Sequence, residues 1–181
     1  KMLKAQGYET AVIGKWHLGL GTGFVDWNQE IIPNPNHVGF DFSHILAATQ
    51  DRVPTVYIEN GWVVNLDPND PIQVDYDKNF EGEPTGLSNP EMLTMKWHHG
   101  HNNSIVNGIP RIGFMKGGQR AKWSDVDMAD HFLQKGKAYI TEKASSGKPF
   151  FLFFLSHAHQ PYLPQGLGAI RVDLNGLFKV A

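Results

Sequence analysis

Two strand-like runs, a β-branched one at residues 8–13 and a wholly apolar one at 150–155, stand at opposite ends of a chain whose middle is broken by proline, glycine and asparagine. The first, Tyr8-Glu9-Thr10-Ala11-Val12-Ile13, has the β-branched content of a short strand that stops at Gly14. Before it, Met2-Leu3-Lys4-Ala5-Gln6-Gly7 reads as the last turn of a helix closed by a C′ glycine, as if the chain continued from something longer. The second run, Phe150-Phe151-Leu152-Phe153-Phe154-Leu155, is apolar without alternation, the pattern of a strand buried on both faces of a covered parallel sheet. Ahead of it, Ala129, Phe132, Leu133, Gly136, Tyr139, Ile140 and Ala144 recur at helical spacing. Ser124 with Asp127 suggests a capping box at the start of that helix, and Gly147 before Pro149 marks its end.

Between these elements, residues 20–122 carry Pro33, Pro35, Pro54, Pro68, Pro71, Pro84, Pro90 and Pro110. One hairpin is clear there: Thr55-Val56-Tyr57-Ile58 and Trp62-Val63-Val64 flank Asn60-Gly61, a pair suited to a type I′ turn. A segment this long and irregular reads as a functional insertion. The pattern as a whole predicts an α/β fold, a mainly parallel sheet flanked by helices, with a loop and hairpin insertion at about 20–122.

Composition narrows the function classes. The chain is 41% hydrophobic and 19% charged, which suits a globular domain. Sixteen Lys and Arg face 18 Asp and Glu, so no single-sign field favours nucleic acid or an anionic membrane. The longest wholly apolar run is far short of a membrane span, and no signal-peptide pattern is present. With no cysteine there is neither disulfide nor thiolate metal site nor cysteine nucleophile in these residues.

The residues able to do chemistry fall into two loops. Lys15 and His17 follow the first strand; His157 and His159 follow the last. In open α/β sheets ligands bind beyond the carboxyl ends of the strands, so both loops point at one edge. Each pair is separated by one residue, and an extended backbone would project both members to one side. A lysine suits an anionic oxygen, and histidines move protons near neutral pH. Together they suit cleavage of an anionic ester, for which a nucleophile and a carboxylate metal cage would still be needed. The same residues also suit solvated loops of any α/β protein, and spacing alone leaves both readings open.

Gly7-Tyr8-Glu9-Thr10-Ala11-Val12-Ile13-Gly14-Lys15-Trp16-His17-Leu18-Gly19 closely resembles the second signature of the type I sulfatases, in the alkaline phosphatase superfamily. Ser156-His157-Ala158-His159-Gln160-Pro161 resembles the later family segment in which a histidine precedes a proline by two residues. Asp51-Arg52-Val53-Pro54, Asn65-Leu66-Asp67-Pro68-Asn69-Asp70-Pro71 and Ile105-Val106-Asn107-Gly108-Ile109-Pro110-Arg111-Ile112-Gly113 resemble arylsulfatase-like bacterial enzymes acting on sulfated glycans. The resemblance implies a partial sulfatase catalytic domain over residues 1–164. Residues 165–181 do not share it and read as a divergent or spurious tail.

For individual positions the resemblance implies that Lys15 contacts the sulfate and a formylglycine nucleophile. His17 would bond the formylglycine hydroxyl, and His159 would protonate the leaving group with His157 in support. It also implies calcium, a sulfated glycan or aryl sulfate ester as substrate, and a periplasmic or secreted parent. The Cys- or Ser-x-Pro-x-Arg nucleophile motif, the paired calcium-binding aspartates and the later Asp-Asn pair have no match here. The metal ligands assigned within this chain are therefore none, and the 181 residues alone are expected to be inactive. Two rivals remain: a phosphodiesterase or phosphonate hydrolase of the same superfamily, and a non-catalytic remnant that binds sulfated glycan.

Other candidates are weaker. His98-His99-Gly100-His101 lacks an acidic residue at a zinc-site spacing, and His101 is read as a substrate contact or a solvated loop residue. Arg52 and Arg111 are read as holding an anionic substrate or as surface ion pairs. Asp67-Pro68-Asn69-Asp70 fails the EF-hand pattern and reads as a tight turn. Trp16, Trp27, Trp62, Trp97 and Trp123 are read mostly as core, with sugar stacking as the alternative.

Overall fold

A computed structural model describes residues 1–98, 100–155, 170–172 and 178–180. Helix α1 (Met2–Ala5) ends in a Schellman motif: Gly7 lies at φ +80°, its N–H reaches Lys4 O, and Tyr8 N–H reaches Leu3 O. The chain then enters strand β1 (Glu9–Lys15), whose five interior residues are buried. Asn34 caps the short helix α2 (Pro35–Val38) by accepting from Asn36 N–H, with Pro35 at the first helical position. Strand β2 (Phe42–Leu46) follows and runs parallel to β1.

Strands β3 (Tyr57–Glu59) and β4 (Trp62–Val63) form the expected hairpin, with Asn60 at φ 49° and Gly61 at φ 88° supplying the type I′ turn. The hairpin is not an appendage. It joins β2 antiparallel and extends the central sheet, whose order is β4-β3-β2-β1-β9. The segment read as an insertion thus supplies three of the five strands. Its remainder forms β5 (Gln73–Asp75), β6 (Ile105–Val106), β7 (Ile109–Pro110) and β8 (Phe114–Lys116), paired as two small ribbons. The β6–β7 ribbon turns on Asn107-Gly108, both at positive φ, a second Asn-Gly hairpin that the sequence reading passed over.

Helix α3 (Met128–Ser146) runs close to the predicted span and ends at Gly147 in the left-handed region. Its start differs from expectation. Asp127 holds the N-cap position without a side-chain cap bond, and Ser124 lies outside the helix. Met128, Phe132, Gly136 and Tyr139 are its buried stripe, whereas Ala144 is exposed. Gly136 allows close packing: a Cβ there would come within 2.9 Å of the Phe154 ring.

Strand β9 (Phe150–Leu155) pairs parallel with β1. It was expected to be buried on both faces, but it alternates. Phe150, Leu152 and Phe154 pack against the α3 side, while Phe151 and Phe153 remain 40% and 37% exposed. The reason is the way the sheet is covered. On one face Ala11, Ile13, Leu46 and Tyr57 meet α3. On the other, Val12, Ile45 and Ile58 meet Ile31, Val56, Ile72, Val74 and Met115 of the loop-rich segment, and Phe151 and Phe153 are not among the residues of that cluster. The result is a mixed, mostly parallel α/β sheet with few flanking helices. Beyond it, β10 (Ile170–Val172) and β11 (Phe178–Val180) pair antiparallel within the tail.

Candidate functional site

The Gly-Lys-Trp-His signature divides into scaffold and chemistry. Gly14 lies at φ +114°, and a Cβ on it would fall 2.0 Å from the carbonyl oxygen of Leu155, so only glycine lets β1 and β9 pass. Trp16 is buried, donates its indole N–H to Gly19 O at 2.7 Å and meets the Phe40 ring edge-on. Upstream, Thr10 N–H donates to Asp41 Oδ2 at 2.9 Å while its hydroxyl accepts from Asp41 N–H, which ties β1 to the entry of β2. What remains open is Lys15, half-buried at the strand end, and His17, exposed just beyond it.

The backbone is not extended at His17, whose φ is 50°. The expectation that strand alternation aims Lys15 and His17 to one side therefore fails there: the chain leaves the sheet at that residue. The β1–β2 ladder continues to this point, with Trp16 N–H on Leu46 O and His17 N–H on Ala47 O. The segments after β1 and β2 leave the sheet side by side, and Gln50 and Asp51 follow a few residues later. His157 and His159 lie outside the described residues.

A small cleft is lined among others by Asp51, Lys96, Trp97, His98, His101 and Arg111, and neither Lys15 nor His17 is among its described lining residues. His101 stands between two acceptors: Nδ1 lies 2.6 Å from His98 O and Nε2 lies 2.7 Å from Asp51 Oδ2. Both ring nitrogens of His101 are thus engaged, one by a backbone carbonyl and one by a carboxylate. Burial raises the Asp51 pKa, but the nearby Thr49 hydroxyl and the His101 hydrogen bond and charge outweigh it and hold the carboxyl below its ordinary range. The acidic partner of His101 was invisible in the sequence because it sits 50 residues away.

Arg111 is not a surface residue. It is 1% exposed and forms an ion pair with Asp125 at 2.6 Å, donating also to Gln50 O and Val106 O. Asp125 in turn accepts from Gln50, Asn107 and the Trp123 indole, and despite burial these donors, Arg111 first, keep its pKa low. The network props the cleft wall and leaves the Arg111 Nε buried without a hydrogen bond. Arg52 is half-buried beside Asp51 and makes no ion pair with a described residue. Of the five tryptophans, Trp16 and Trp123 are core, Trp27 packs against it, and Trp62 and Trp97 stay 48% and 42% exposed. Asp67 forms the expected tight turn, accepting from Asn69 N–H at 2.9 Å.

A second polar cluster, unforeseen in the sequence, lies under α3. His44 of β2 is fully buried, with Nδ1 2.8 Å from Glu59 Oε2 and Nε2 2.7 Å from His131 Nε2. Lys135 closes on the same Glu59 oxygen at 2.7 Å, and His131 stacks on Tyr57. The chain of bonds is satisfied when His44 Nδ1–H donates to Glu59 and His131 Nε2–H donates to His44. Among the described residues no group of three or more His, Cys, Asp or Glu is placed to hold a metal ion.

Comparisons with known proteins agree with this architecture. No family model matches the chain. It is 50% identical over 165 residues to an N-acetylgalactosamine-6-O-sulfatase of Bacteroides thetaiotaomicron, covering 90% of this chain and 32% of that protein. It is 40% identical over 52 residues to human steryl-sulfatase, covering 29% of this chain and 8% of that protein. A solved structure described under metabolism of multiple glycosaminoglycans by Bacteroides thetaiotaomicron superposes with a TM-score of 0.85 at 50% identity, over 91% of this chain and 34% of that one. The chain thus spans about a third of the length of the relative it matches over most of its residues. On this likeness of sequence and fold together, the chain belongs to the sulfatase family.

Proposed function

We propose that the protein to which this chain belongs hydrolyses sulfate esters of carbohydrates. The carrying observation is the division of labour in the signature: Gly14, Trp16 and Thr10 are consumed by the scaffold, and Lys15 and His17 are left at the carboxyl edge. Lys15 supplies a fixed positive charge to the sulfuryl oxygens as negative charge builds there. His17 carries a proton to or from the attacking and departing oxygens. His159, with His157 beside it, serves the leaving group by family resemblance. The sugar most favoured is a sulfated amino sugar, because the relative identical at half its aligned positions is named for N-acetylgalactosamine 6-sulfate.

Family resemblance also supplies a formylglycine nucleophile and calcium. The residues described here do not fit either group: the chain has no cysteine and no metal-binding cluster among the described residues. No step is therefore routed through them. A periplasmic or secreted location goes with the bacterial relative, and no helix of the described residues is long and apolar enough to cross a membrane.

The test is a panel of sulfate and phosphate esters offered to the full-length parent and to its Lys15→Ala and His17→Ala variants. Sulfate esters should be preferred, and each variant should lose about 100-fold or more in kcat. Preference for a phosphate diester would move the protein to the rival superfamily activity. Undiminished glycan binding with no turnover in any form would make it a binding remnant.

A further inference from the structure

The polar cluster under α3 joins the helix to the sheet through a contact between two imidazoles. His44 lies in the middle of β2, a strand paired with β1 on one side and β3 on the other, so its ring is fixed by the sheet. It is fully buried, and its Nε2 meets His131 Nε2 at 2.7 Å. The titratable groups around the pair come from three directions. β3 presents Glu59, 2.8 Å from His44 Nδ1, and Tyr57, on which His131 stacks. α3 presents Lys135, 2.7 Å from the same Glu59 oxygen. Asp125 and Asp127, ahead of the helix, act on Tyr57. β1 places Ile13 beside His44.

Two nitrogens at this distance share one proton. With His44 Nδ1–H given to Glu59, His44 Nε2 accepts and His131 Nε2–H donates. A proton taken up on His131 Nδ1 leaves that bond in place. A further proton on His44 Nε2 puts an N–H on each side of the gap and two like charges across it. Burial, and then the charge of Lys135, keep both imidazoles neutral against the pull of Glu59.

The helix is the partner able to move. Its Asp127 N-cap makes no side-chain cap bond. Gly136 stands in mid-helix, where a glycine weakens the backbone. Upstream, Asp125 is anchored to Arg111, Gln50 and Asn107. Residues 126–135 thus form an arm between a fixed point and a weak one. Met128, Phe132 and the His131 contact hold that arm to the sheet.

We propose that the His44–His131 contact is an acid-sensitive latch: a second proton on the pair breaks the N–H···N bond and releases the first half of α3 from the sheet, with Gly136 as the hinge. The latch goes beyond the sulfatase reading and does not depend on it. It also differs from the simple burial of a histidine. The group that fails is a bond between two elements, so release is confined to residues 126–135.

The experiment is hydrogen exchange of the full-length parent at about pH 7 and pH 4.5, read by peptide mass and corrected for the chemical exchange rate. Circular dichroism checks that each variant is folded. Amides between residues 128 and 135 should exchange about tenfold or more faster at the lower pH, and ahead of those in β1 and β2. His131→Gln should hold the change within about threefold, because a turned carboxamide accepts from a protonated His44 where an imidazolium cannot. Lys135→Met should move the opening to higher pH, because a cation that opposes protonation is gone.

Amides of α3 that exchange no faster at pH 4.5, or only in step with β1, overturn the latch. So does a folded His131→Gln protein that opens as the parent does, since burial of His44 is then sufficient. If His131→Gln does not fold, Lys135→Met decides: an onset that stays in place or moves to lower pH sinks the proposal.

Discussion

Arg111 shows how a single residue can exchange an expected role for a structural one. A guanidinium in a segment rich in turns invites a substrate role, yet both its terminal nitrogens donate to Asp125, Gln50 and Val106 in a space with 1% exposure. Arg111→Ala would leave Asp125 buried without its main counter-charge, and the expected loss is about 3–5 kcal/mol in urea unfolding. A variant that melts like the parent would show that the pair is dispensable. His44 makes the complementary point about pH. Burial, and then the charge of Lys135, lower its pKa from an ordinary 6.5 to about 4, against the pull of Glu59; His131 is lowered in the same direction. Between these values the unfolded chain binds the proton and the folded chain does not. Stability is therefore full above pH 6.5 and falls as pH drops toward 4, by on the order of 2–3 kcal/mol for His44. Thermal melts of the parent across that window should show the decline, and His44→Gln should flatten it. A parent profile that stays level from pH 7 to 4 would contradict the assignment.

At the scale of elements, the contact between β1 and β9 is the most exacting. The Leu155 carbonyl occupies the space that a Cβ on residue 14 would need, and φ +114° adds strain for any other residue. Gly14→Ala should cost at least about 2 kcal/mol and weaken pairing along the β1–β9 ladder. Hydrogen exchange of the amides in these two strands, compared with those of β3, checks whether the damage is local to that ladder. The Asn60-Gly61 hairpin behaves differently. It was legible in the sequence because a type I′ turn has a local code, but its place in the central sheet was not. Pairing of β3 with β2 depends on the ten residues of intervening chain, 47–56, reversing direction, and no dipeptide encodes that. The alternation of Phe151 and Phe153 outward had the same cause: six consecutive apolar residues do not say which faces will be covered.

For the molecule as a whole, the parallel β1–β2 pairing brings the carboxyl ends of these strands together, so that the signature loop leaves the sheet beside the chain that follows β2. The expected outcome for the isolated 181-residue chain is no measurable hydrolysis of an aryl sulfate. Its nucleophile motif has no match in these residues, and substrate-handling side chains alone do not break the ester. Turnover of 4-nitrophenyl sulfate by the purified chain, retained after Lys15→Ala, would show a contaminant; turnover lost with Lys15 would show a self-sufficient site.

The chain's own order of residues was enough to identify the helix-capping glycines, the two parallel strands, the long helix before the last strand and the signature with its two open side chains. Each of these is written in neighbours a few residues apart, through capping, periodicity or a dense motif. Tertiary structure alone decided that His101 meets Asp51, that Arg111 is buried with Asp125, and that His44, His131, Glu59 and Lys135 form one network. These pairings join residues 14 to 87 positions apart. They depend on which faces the sheet presents and which segment covers them, and a linear pattern of polar and apolar residues does not carry that information.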